Sequence, residues 1–279
     1  MEPGTTDLAS LFSLRDRTIV ITGGAGALGG AMARALAAAG ARVAVLSRHE
    51  ESSAAVAAAI QAAGGQALGM ACDVRDPATL VRAAGVVTAA FGAIDALVNA
   101  AGGNQEPATT TGDRSFFDID PAAVSDVLDL NFTGTLRCCQ VFGRQMAERG
   151  SGCIVNIASM SAIRPLTRIP AYSAAKAALV NFTQWLAVHL AQEYGPHLRV
   201  NALAPGFFLT EQNRYLLTDQ QTGAATARAQ AILAQTPMAR LGAPADLCGP
   251  LIWLLSPASA FVTGSVIPVD GGFSAFGGV

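Results

Sequence analysis

Short apolar runs alternate with longer helical patterns along this 279-residue chain, and the alternation limits the folds it can adopt. Six runs are predicted strands: Thr18–Ile21, Val43–Leu46, Ile94–Val98, Ile154–Ile157, Val200–Leu203 and Val266–Val269. The stretches between them favour helices: Leu28–Ala39, Ser53–Ala63, Ala78–Phe91, Ala122–Arg149, Ala171–Glu193 and Pro244–Leu255. Strands that are apolar on both faces are typical of a parallel sheet covered on both sides. We therefore expect one α/β domain over residues 1–279, with a doubly wound sheet of about seven parallel strands flanked by helices.

Two long segments interrupt this rhythm, Gly102–Pro121 and Gly206–Thr236. Both follow predicted strands, and the second has some helical character. Long loops in compact domains are usually functional or disordered. Ligands of open α/β sheets bind beyond the carboxyl ends of the strands. Both segments are therefore predicted to cover a ligand.

The composition argues against several other classes of protein. The net charge is −2 and the basic residues are scattered, so a nucleic-acid partner is not expected. The apolar stretches fall short of the roughly 20 residues that a membrane-spanning helix needs, and no secretory signal is visible at the N-terminus. The five cysteines form no Cys-x-x-Cys pair, which disfavours a disulfide framework and a zinc site. We expect a cytoplasmic protein with reduced thiols and no metal.

A glycine-rich turn follows the first predicted strand. It reads Thr22-Gly23-Gly24-Ala25-Gly26-Ala27-Leu28-Gly29, and a helix comes next. Glycines allow a tight turn and let backbone N–H groups approach a pyrophosphate at a helix N-terminus. A plain strand-to-helix turn is the alternative explanation. The position at the first strand of a parallel α/β pattern favours a dinucleotide.

Ser47 and Arg48 follow the second predicted strand. An acidic residue near this point would accept hydrogen bonds from the adenosine ribose hydroxyls, but neither residue is acidic. Ser47 can donate to a 2′-phosphate and Arg48 can pair with it. The alternative is that Arg48 is a solvated loop charge. The pair therefore favours NADP(H) over NAD(H).

A candidate acid–base group lies in the second half of the chain. Tyr172 and Lys176 are four residues apart on a predicted helix, so their side chains share one face. A nearby ammonium stabilises a phenolate and lowers the pKa of the tyrosine towards neutrality. Ser159 stands thirteen residues before Tyr172, just past a predicted strand. Its hydroxyl could hold the reacting oxygen, whereas an exposed Tyr–Lys pair without chemistry is the alternative.

These motifs together resemble the short-chain dehydrogenase/reductase family over nearly the whole chain. The matching pieces are Thr22–Gly29, Cys72-Asp73-Val74, Val98–Gly102, Leu130–Gly134 with Asn131, Ser159, Tyr172–Lys176, Asn201 with Pro205-Gly206, and Val269–Gly272. The resemblance implies a Rossmann-like fold, a nicotinamide cofactor and hydride transfer at a carbonyl or hydroxyl carbon. It also implies a catalytic set of Tyr172 as general acid or base, Lys176 on the nicotinamide ribose, Ser159 on the substrate oxygen and Asn131 on a relay water.

The same resemblance implies the cofactor contacts. Asp73 would contact the adenine, Asn99 would brace the central strands, and Pro205-Gly206 would pass the nicotinamide amide. The remaining expected contacts are Gly23, Gly26, Ala27, Leu28, Val74, Ala100 and Gly102, besides Ser47, Arg48, Tyr172 and Lys176. Ala27 departs from the family pattern, which usually has Gly there, and this puts in doubt which amides face the pyrophosphate.

A further set of segments resembles the D-mannonate oxidoreductase (fructuronate reductase) branch of the family. These segments are Gly102–Asn104, Ser115–Asp118, Pro165–Arg168, Asn181–Trp185, Ala204–Phe208 and Gly271–Phe276. The implied reaction is the reversible reduction of the C5 keto group of D-fructuronate to give D-mannonate. A sugar acid needs a cation for its carboxylate and polar partners for its hydroxyls. Arg168 and Asn104 are the first candidates, with Gln212, Asn213 and Arg214 as further ones, and a solvated loop side chain is the alternative for each.

Two other functions stay open. A reductase of the same fold could act on a ketosugar, a polyol or a 3-oxoacyl group, although no basic patch for an acyl carrier is visible. A cofactor-binding regulatory protein would not need the set Asn131, Ser159, Tyr172 and Lys176. The stretch Ala122–Arg149 is apolar on more than one face, which indicates burial on both sides, and the family resemblance implies a homotetramer.

Overall fold

The computed structural model describes residues 7–210, 214–219 and 222–278. Within these ranges the strands are β1 (Thr18–Thr22), β2 (Arg42–Ser47), β3 (Gln66–Ala71), β4 (Ala96–Asn99), β5 (Ser151–Ile157), β6 (His197–Pro205) and β7 (Val266–Val269). The α-helices are α1 (Leu8–Leu11), α2 (Ala27–Ala38), α3 (Glu50–Ala62), α4 (Pro77–Phe91), α5 (Pro121–Leu128), α6 (Gly134–Arg149), α7 (Pro170–Glu193), α8 (Arg214–Leu217), α9 (Ala227–Ala234) and α10 (Cys248–Leu255). The strands form one parallel sheet in the order β3-β2-β1-β4-β5-β6-β7. The predicted doubly wound parallel sheet of about seven strands is confirmed.

Successive residues of a strand point to opposite faces of the sheet. Both faces of this sheet are buried. Ile19 and Ile21 join one apolar cluster with residues of α2, α3 and α10. Val20 joins the other cluster, with residues of α4, α6 and α7. Most positions of the central strands are therefore apolar on both sides, as the sequence pattern indicates.

Asp-Pro pairs define the starts of two helices that flank the sheet. Asp76 accepts the N–H of Ala78 at the start of α4, and Asp120 accepts the N–H of Ala122 at the start of α5. In each case proline occupies the first helical position, where its missing N–H costs nothing.

Two elements differ from the sequence-based expectation. β3 was not among the six predicted strands, because of its six residues only Ala67 is buried at this edge of the sheet and no apolar run marks it. The predicted helix Ala122–Arg149 is divided into α5 and α6 by a π-helical turn, Asp129–Thr133. Such turns are rare within α-helices and are frequent at functional sites.

The two long segments that follow β4 and β6 contain local structure. The first has 3₁₀ turns at Glu106–Ala108 and Phe116–Asp118, and the second contains α8 and α9. Of the residues proposed in the second segment, Gln212 and Asn213 lie outside the described residues. In the part of the chain that the structure describes, no helix is long and apolar enough to cross a membrane.

The sheet order reverses between β1 and β4, which are neighbours although two strands separate them in the chain. The connections that follow the carboxyl ends of these strands, at Thr22 and Asn99, run away from each other and leave a crevice between them. Open α/β sheets bind their ligands at this switch point.

Candidate active site

The turn after β1 is shaped by close backbone packing. Gly23 adopts a φ of +64°, and a Cβ there would lie 2.7 Å from the carbonyl oxygen of Ala100 at the end of β4. A Cβ on Gly29 would collide with the carbonyl oxygen of Gly23. Only glycine fits at either position, so α2 begins directly against the switch point.

This turn fits the pyrophosphate of a dinucleotide. Gly26 is the N-cap of α2, which begins at Ala27, and the amides of the first helical turn have no intrahelical acceptor. A cavity of about 610 Å³ opens beside Ala27 and is bounded by Leu209, Leu233 and Pro244. Because Ala27 faces this open space, its extra methyl group is accommodated. Leu28 packs against the apolar core instead.

The end of β2 is more constrained than the sequence indicates. The Ser47 hydroxyl donates to the carbonyl of His49 at 3.1 Å and lies 2.6 Å from the Ser53 hydroxyl. It is therefore already engaged within the protein, which weakens its predicted role towards a 2′-phosphate. Arg48 is exposed, so its guanidinium is accessible to a ligand.

Asp73 lies beyond β3, next to buried Val74. Burial alone would raise the pKa of Asp73, but hydrogen bonds from Arg75 and the charge of Arg48 lower it. Arg75 donates to both carboxylate oxygens, from Nε at 3.4 Å and from Nη2 at 3.2 Å. The carboxylate is thus ionised and held by Arg75 beyond the end of β3.

Asn131 lies in the π-helical turn and is fully buried. Its Nδ2 donates to the carbonyls of Gly103 (2.7 Å) and Val127 (2.8 Å), and its Oδ1 accepts the N–H of Gly103 at 3.1 Å. A Cβ on Gly102 would lie 2.7 Å from Asn131 Oδ1 and 3.3 Å from Lys176 Nζ. Gly102 therefore lies directly against the amide oxygen and the ammonium, and a side chain at this position would displace them.

Tyr172 and Lys176 share one face of α7, as predicted, and the Lys176 ammonium lies 5.6 Å from the centre of the tyrosine ring. Ser159 lies within hydrogen-bonding reach of the phenol. The structure thus brings together the three side chains that the sequence assigns to catalysis. Ala108 of the first long segment and Val127 of α5 pack with Tyr172 and bury the ring.

Burial dominates the titration of both α7 residues. It raises the pKa of Tyr172, and the hydrogen bond from Ser159 opposes the rise only in part. It lowers the pKa of Lys176 from 10.5 to about 8. The Lys176 ammonium donates to the carbonyl of Ile157 at 2.7 Å, and its effect on the pKa of Tyr172 stays a prediction. A phenol with a raised pKa stays protonated near neutral pH, which is the form that can donate a proton.

Ser161 is a residue that the sequence reasoning missed. Its N–H (3.1 Å) and its hydroxyl (3.0 Å) both donate to the Ser159 hydroxyl oxygen. Because these two donors occupy the oxygen's acceptor positions, the Ser159 proton is free to point towards the phenol and the reacting oxygen. A serine two residues after a candidate site serine was the only available signal.

Known proteins of similar sequence identify the family of this chain. The family model adh_short_C2, described as enoyl-(acyl carrier protein) reductase, matches residues 23–274. The chain is 49% identical over 276 residues to the oxidoreductase UxuB of Bacillus subtilis, covering 96% of this chain and 98% of that one. The chain belongs to the short-chain dehydrogenase/reductase family. It is an NAD(P)-dependent oxidoreductase of that family.

Two solved structures of the family are similar to this one over almost their whole length. One is a Haemophilus influenzae protein with bound NAD that carries the provisional name D-mannonate oxidoreductase; it is 42% identical, with a TM-score of 0.90, and 98% of this chain and 100% of that chain are covered. The other is a gluconate 5-dehydrogenase from Burkholderia cenocepacia in complex with NADP and tartrate; it is 33% identical, with a TM-score of 0.86, and 97% and 100% are covered. Relatives thus bind either nicotinamide cofactor.

A buried polar chain links the central strands of this short-chain reductase to α7. Asn99 Nδ2 donates to Asn156 Oδ1 at 2.9 Å, Asn156 Nδ2 donates to Thr183 Oγ1 at 2.8 Å, and Thr183 donates to the carbonyl of Leu179. The predicted bracing role of Asn99 corresponds to the first of these contacts. Asn156 and Thr183 were not predicted, because their pairing depends on strand register and helix packing.

The two candidate substrate residues lie at the edge of the crevice. Arg168 is exposed and has a φ of +74°, which is unfavourable for a residue with a side chain. Its carbonyl accepts the N–H of Thr110 at 3.0 Å, so the first long segment is attached to the segment before α7. Asn104 is also exposed, and its Nδ2 donates to Thr109 at 2.9 Å.

The carboxyl ends of β6 and β7 complete the crevice. Pro205 ends β6, and Gly206 donates its N–H to the carbonyl of Val269 at 3.0 Å. A Cβ on Gly206 would lie 2.7 Å from the Cβ of Asp270. The chain after β7 is therefore packed against the predicted passage for the nicotinamide. The tight cradle at Gly23 and Gly29, the helix start at Ala27 and this passage fit a nicotinamide dinucleotide.

Proposed function

We propose that this protein reduces the C5 keto group of D-fructuronate to give D-mannonate, reversibly and with NADP(H) preferred over NAD(H). The observation that carries the proposal is the convergence of Ser159, Tyr172 and Lys176 beside a segment that bears two exposed arginines, Arg164 and Arg168. The first three suit transfer of a proton to a keto oxygen. The arginines suit an anionic substrate. The provisional name of the Haemophilus influenzae relative supports the same substrate.

The bound nicotinamide would supply the hydride, and the protein's side chains would handle the oxygen and its proton. The Ser159 hydroxyl, oriented by Ser161, donates a hydrogen bond to the keto oxygen. Tyr172, whose raised pKa keeps it protonated, transfers its proton to that oxygen as negative charge develops. In the direction of oxidation the tyrosine accepts the proton back.

Lys176 and Asn131 would hold the cofactor and resupply the proton. The Lys176 ammonium, 5.6 Å from the centre of the Tyr172 ring, would bind the nicotinamide ribose hydroxyls. Asn131 Oδ1 and Lys176 Nζ both border Gly102, and a water bound between these side chains and Tyr172 would link them. Such a water provides a path for a proton from solvent to Tyr172.

NADP(H) preference is the part of the proposal that depends on Arg48. Its exposed guanidinium lies near enough to the fixed Asp73 carboxylate to affect that group's pKa, and a 2′-phosphate entering there would gain a charged partner. We expect Arg48→Ala to weaken NADPH binding about tenfold or more and NADH binding much less. Equal losses, measured by fluorescence titration with each cofactor, would remove Arg48 from this role.

The direct test of the reaction is a spectrophotometric assay of the purified protein with D-fructuronate, run separately with NADPH and NADH. We expect oxidation of the reduced cofactor that depends on the sugar acid and disappears in Tyr172→Phe. The name of the Burkholderia relative supports a second candidate, a 5-keto acid derived from gluconate. That compound is assayed in parallel, and a higher kcat/KM for it would replace D-fructuronate as the substrate.

Assembly into a homotetramer also belongs to the proposal. A groove of about 1130 Å³ runs between α4, α6 and α7, lined by apolar side chains such as Leu136, Phe182 and Leu190. Trp185, Val188 and Tyr194 are at least half exposed on the same face. Exposed apolar patches of this kind mark subunit contacts. Sedimentation analysis tests this, and Trp185→Glu is expected to shift the tetramer to smaller species.

A further inference from the structure

The chain after β7 holds one of the two arginines at the mouth of the site. The Arg164 Nε donates to the carbonyl of Ser274 at 2.9 Å. The Arg164 backbone is fixed as well, because its N–H donates to Met160 at 2.9 Å within the turn that Ser159 caps. Arg164 is therefore held both by the turn that begins after Ser159 and by the C-terminal segment.

Asp270 organises that C-terminal segment. One of its carboxylate oxygens accepts the N–H of Gly272 at 2.9 Å, and the other accepts the N–H of Ser274 at 2.8 Å. The aspartate also packs against Gly206, and Phe273 packs edge-on against Phe207 with ring centres 5.2 Å apart. The turn that presents the Ser274 carbonyl is thus built on the predicted nicotinamide passage.

The Arg164 guanidinium keeps a free edge in this arrangement. Its Nε is engaged with Ser274, and among the described residues its Nη1 and Nη2 groups form no ion pair or hydrogen bond. A guanidinium fork that is already oriented loses little conformational freedom when it binds a carboxylate. Arg168 lacks such an anchor, since only its backbone is held.

We propose that Arg164 binds the substrate carboxylate and that Asp270, through the turn it caps, is the residue that positions Arg164. The inference rests on the proposed sugar-acid substrate and adds the residue that distinguishes an acid from a polyol. On this proposal the C-terminal segment acts within its own chain and sets the distance between the Arg164 guanidinium and Ser159.

The test compares binding of D-mannonate with binding of D-mannitol, which has a hydroxymethyl group in place of the carboxylate. Titration calorimetry is performed in the Tyr172→Phe background saturated with NADP⁺, so that no turnover occurs. Arg164→Gln is expected to weaken D-mannonate binding about tenfold or more, because a charged hydrogen-bonding partner is lost, and to leave D-mannitol binding unchanged. Arg82→Gln, an exposed arginine on α4, is the control for the change in net charge.

Asp270→Asn tests the positioning role. It replaces one acceptor oxygen by an NH₂ group and is expected to weaken D-mannonate binding several-fold when Arg164 is present, but to have no further effect in the Arg164→Gln background. The same loss in both backgrounds would assign Asp270 a purely structural role and overturn the positioning. Equal losses for the acid and the polyol in Arg164→Gln, or no loss, would overturn the carboxylate contact.

Failure of the inference is distinguishable from failure of the proposed function. If the unmodified protein reduces D-fructuronate but Arg164→Gln retains full preference for the acid, only the inference is wrong. If the protein does not reduce D-fructuronate but its preference for D-mannonate over D-mannitol depends on Arg164, only the proposed substrate is wrong. No binding of D-mannonate by the unmodified site would overturn both.

Discussion

Replacing Lys176 by methionine should reveal how much the buried ammonium lowers the free energy of unfolding. Burial lowers the pKa of Lys176 from 10.5 to about 8, a fall of about 2.5 pH units that corresponds to roughly 3.4 kcal/mol. Lys176 is only 4% exposed, so little of this penalty is relieved by solvent. The penalty is present whenever the lysine is protonated in the folded protein.

The sign of the pH dependence follows from the direction of that shift. Because the pKa is lower in the folded state than in the unfolded chain, the unfolded chain binds more protons between about pH 8 and pH 10.5, and the free energy of unfolding rises with pH over this window. Below about pH 8 the full penalty remains. From pH 7 to pH 10 we expect a lysine-dependent gain of about 2.5 kcal/mol.

Urea unfolding at pH 7 and pH 10 measures this gain as a difference between two proteins. Both carry Tyr172→Phe, so that the neighbouring phenol does not titrate, and one also carries Lys176→Met. Subtracting the two unfolding free energies at each pH cancels the contribution of all other groups. A difference that stays constant between pH 7 and pH 10 would show that Lys176 is not destabilised by burial and would refute the reasoning.

Three further changes test other parts of the site. Ser161→Ala should lower kcat about tenfold with little change in KM, because the Ser159 proton is no longer oriented. Ser161→Thr should restore most of the rate. An unchanged kcat in the alanine variant would show that Ser161 does not orient Ser159. Gly29→Ala should weaken NADPH binding about tenfold or more, because its methyl group meets the Gly23 carbonyl. Gly249→Ala on α10, an exposed position where a Cβ meets nothing within 4 Å, is the matched control and should bind normally. The rate of reduction should fall as the pH rises above about 8, where Lys176 loses its charge, and a flat profile from pH 7 to pH 10 would contradict this.

Much of the site was predictable because it depends on local patterns. The four-residue spacing of Tyr172 and Lys176 fixes their shared face once the helix is assigned, and Ser159 follows a strand whose apolar run is unmistakable. The glycine turn is likewise visible as a local motif, whereas the close approach of Gly23 to Ala100 depends on the pairing of β1 with β4.

Features that depend on long-range packing were not predictable. The edge strand β3 has too few buried side chains to stand out, and no residue type marks the π-helical turn that contains Asn131. The contact of Arg164 with Ser274 joins residues 110 positions apart. Burial raises the pKa of Tyr172 and the hydrogen bond from Ser159 lowers it, and the burial depends on Ala108 and Val127, which lie far from α7 in the chain.

The central claim is hydride transfer to the C5 carbon of a sugar acid, and isotope transfer tests it most directly. D-fructuronate is incubated with the protein and NADPH deuterated at the nicotinamide C4 position, and the product is examined by NMR. The account predicts D-mannonate that carries deuterium at C5, and no labelled product from Tyr172→Phe. Deuterium at another carbon, the C5 epimer of D-mannonate, or the same labelled product from Tyr172→Phe would contradict it.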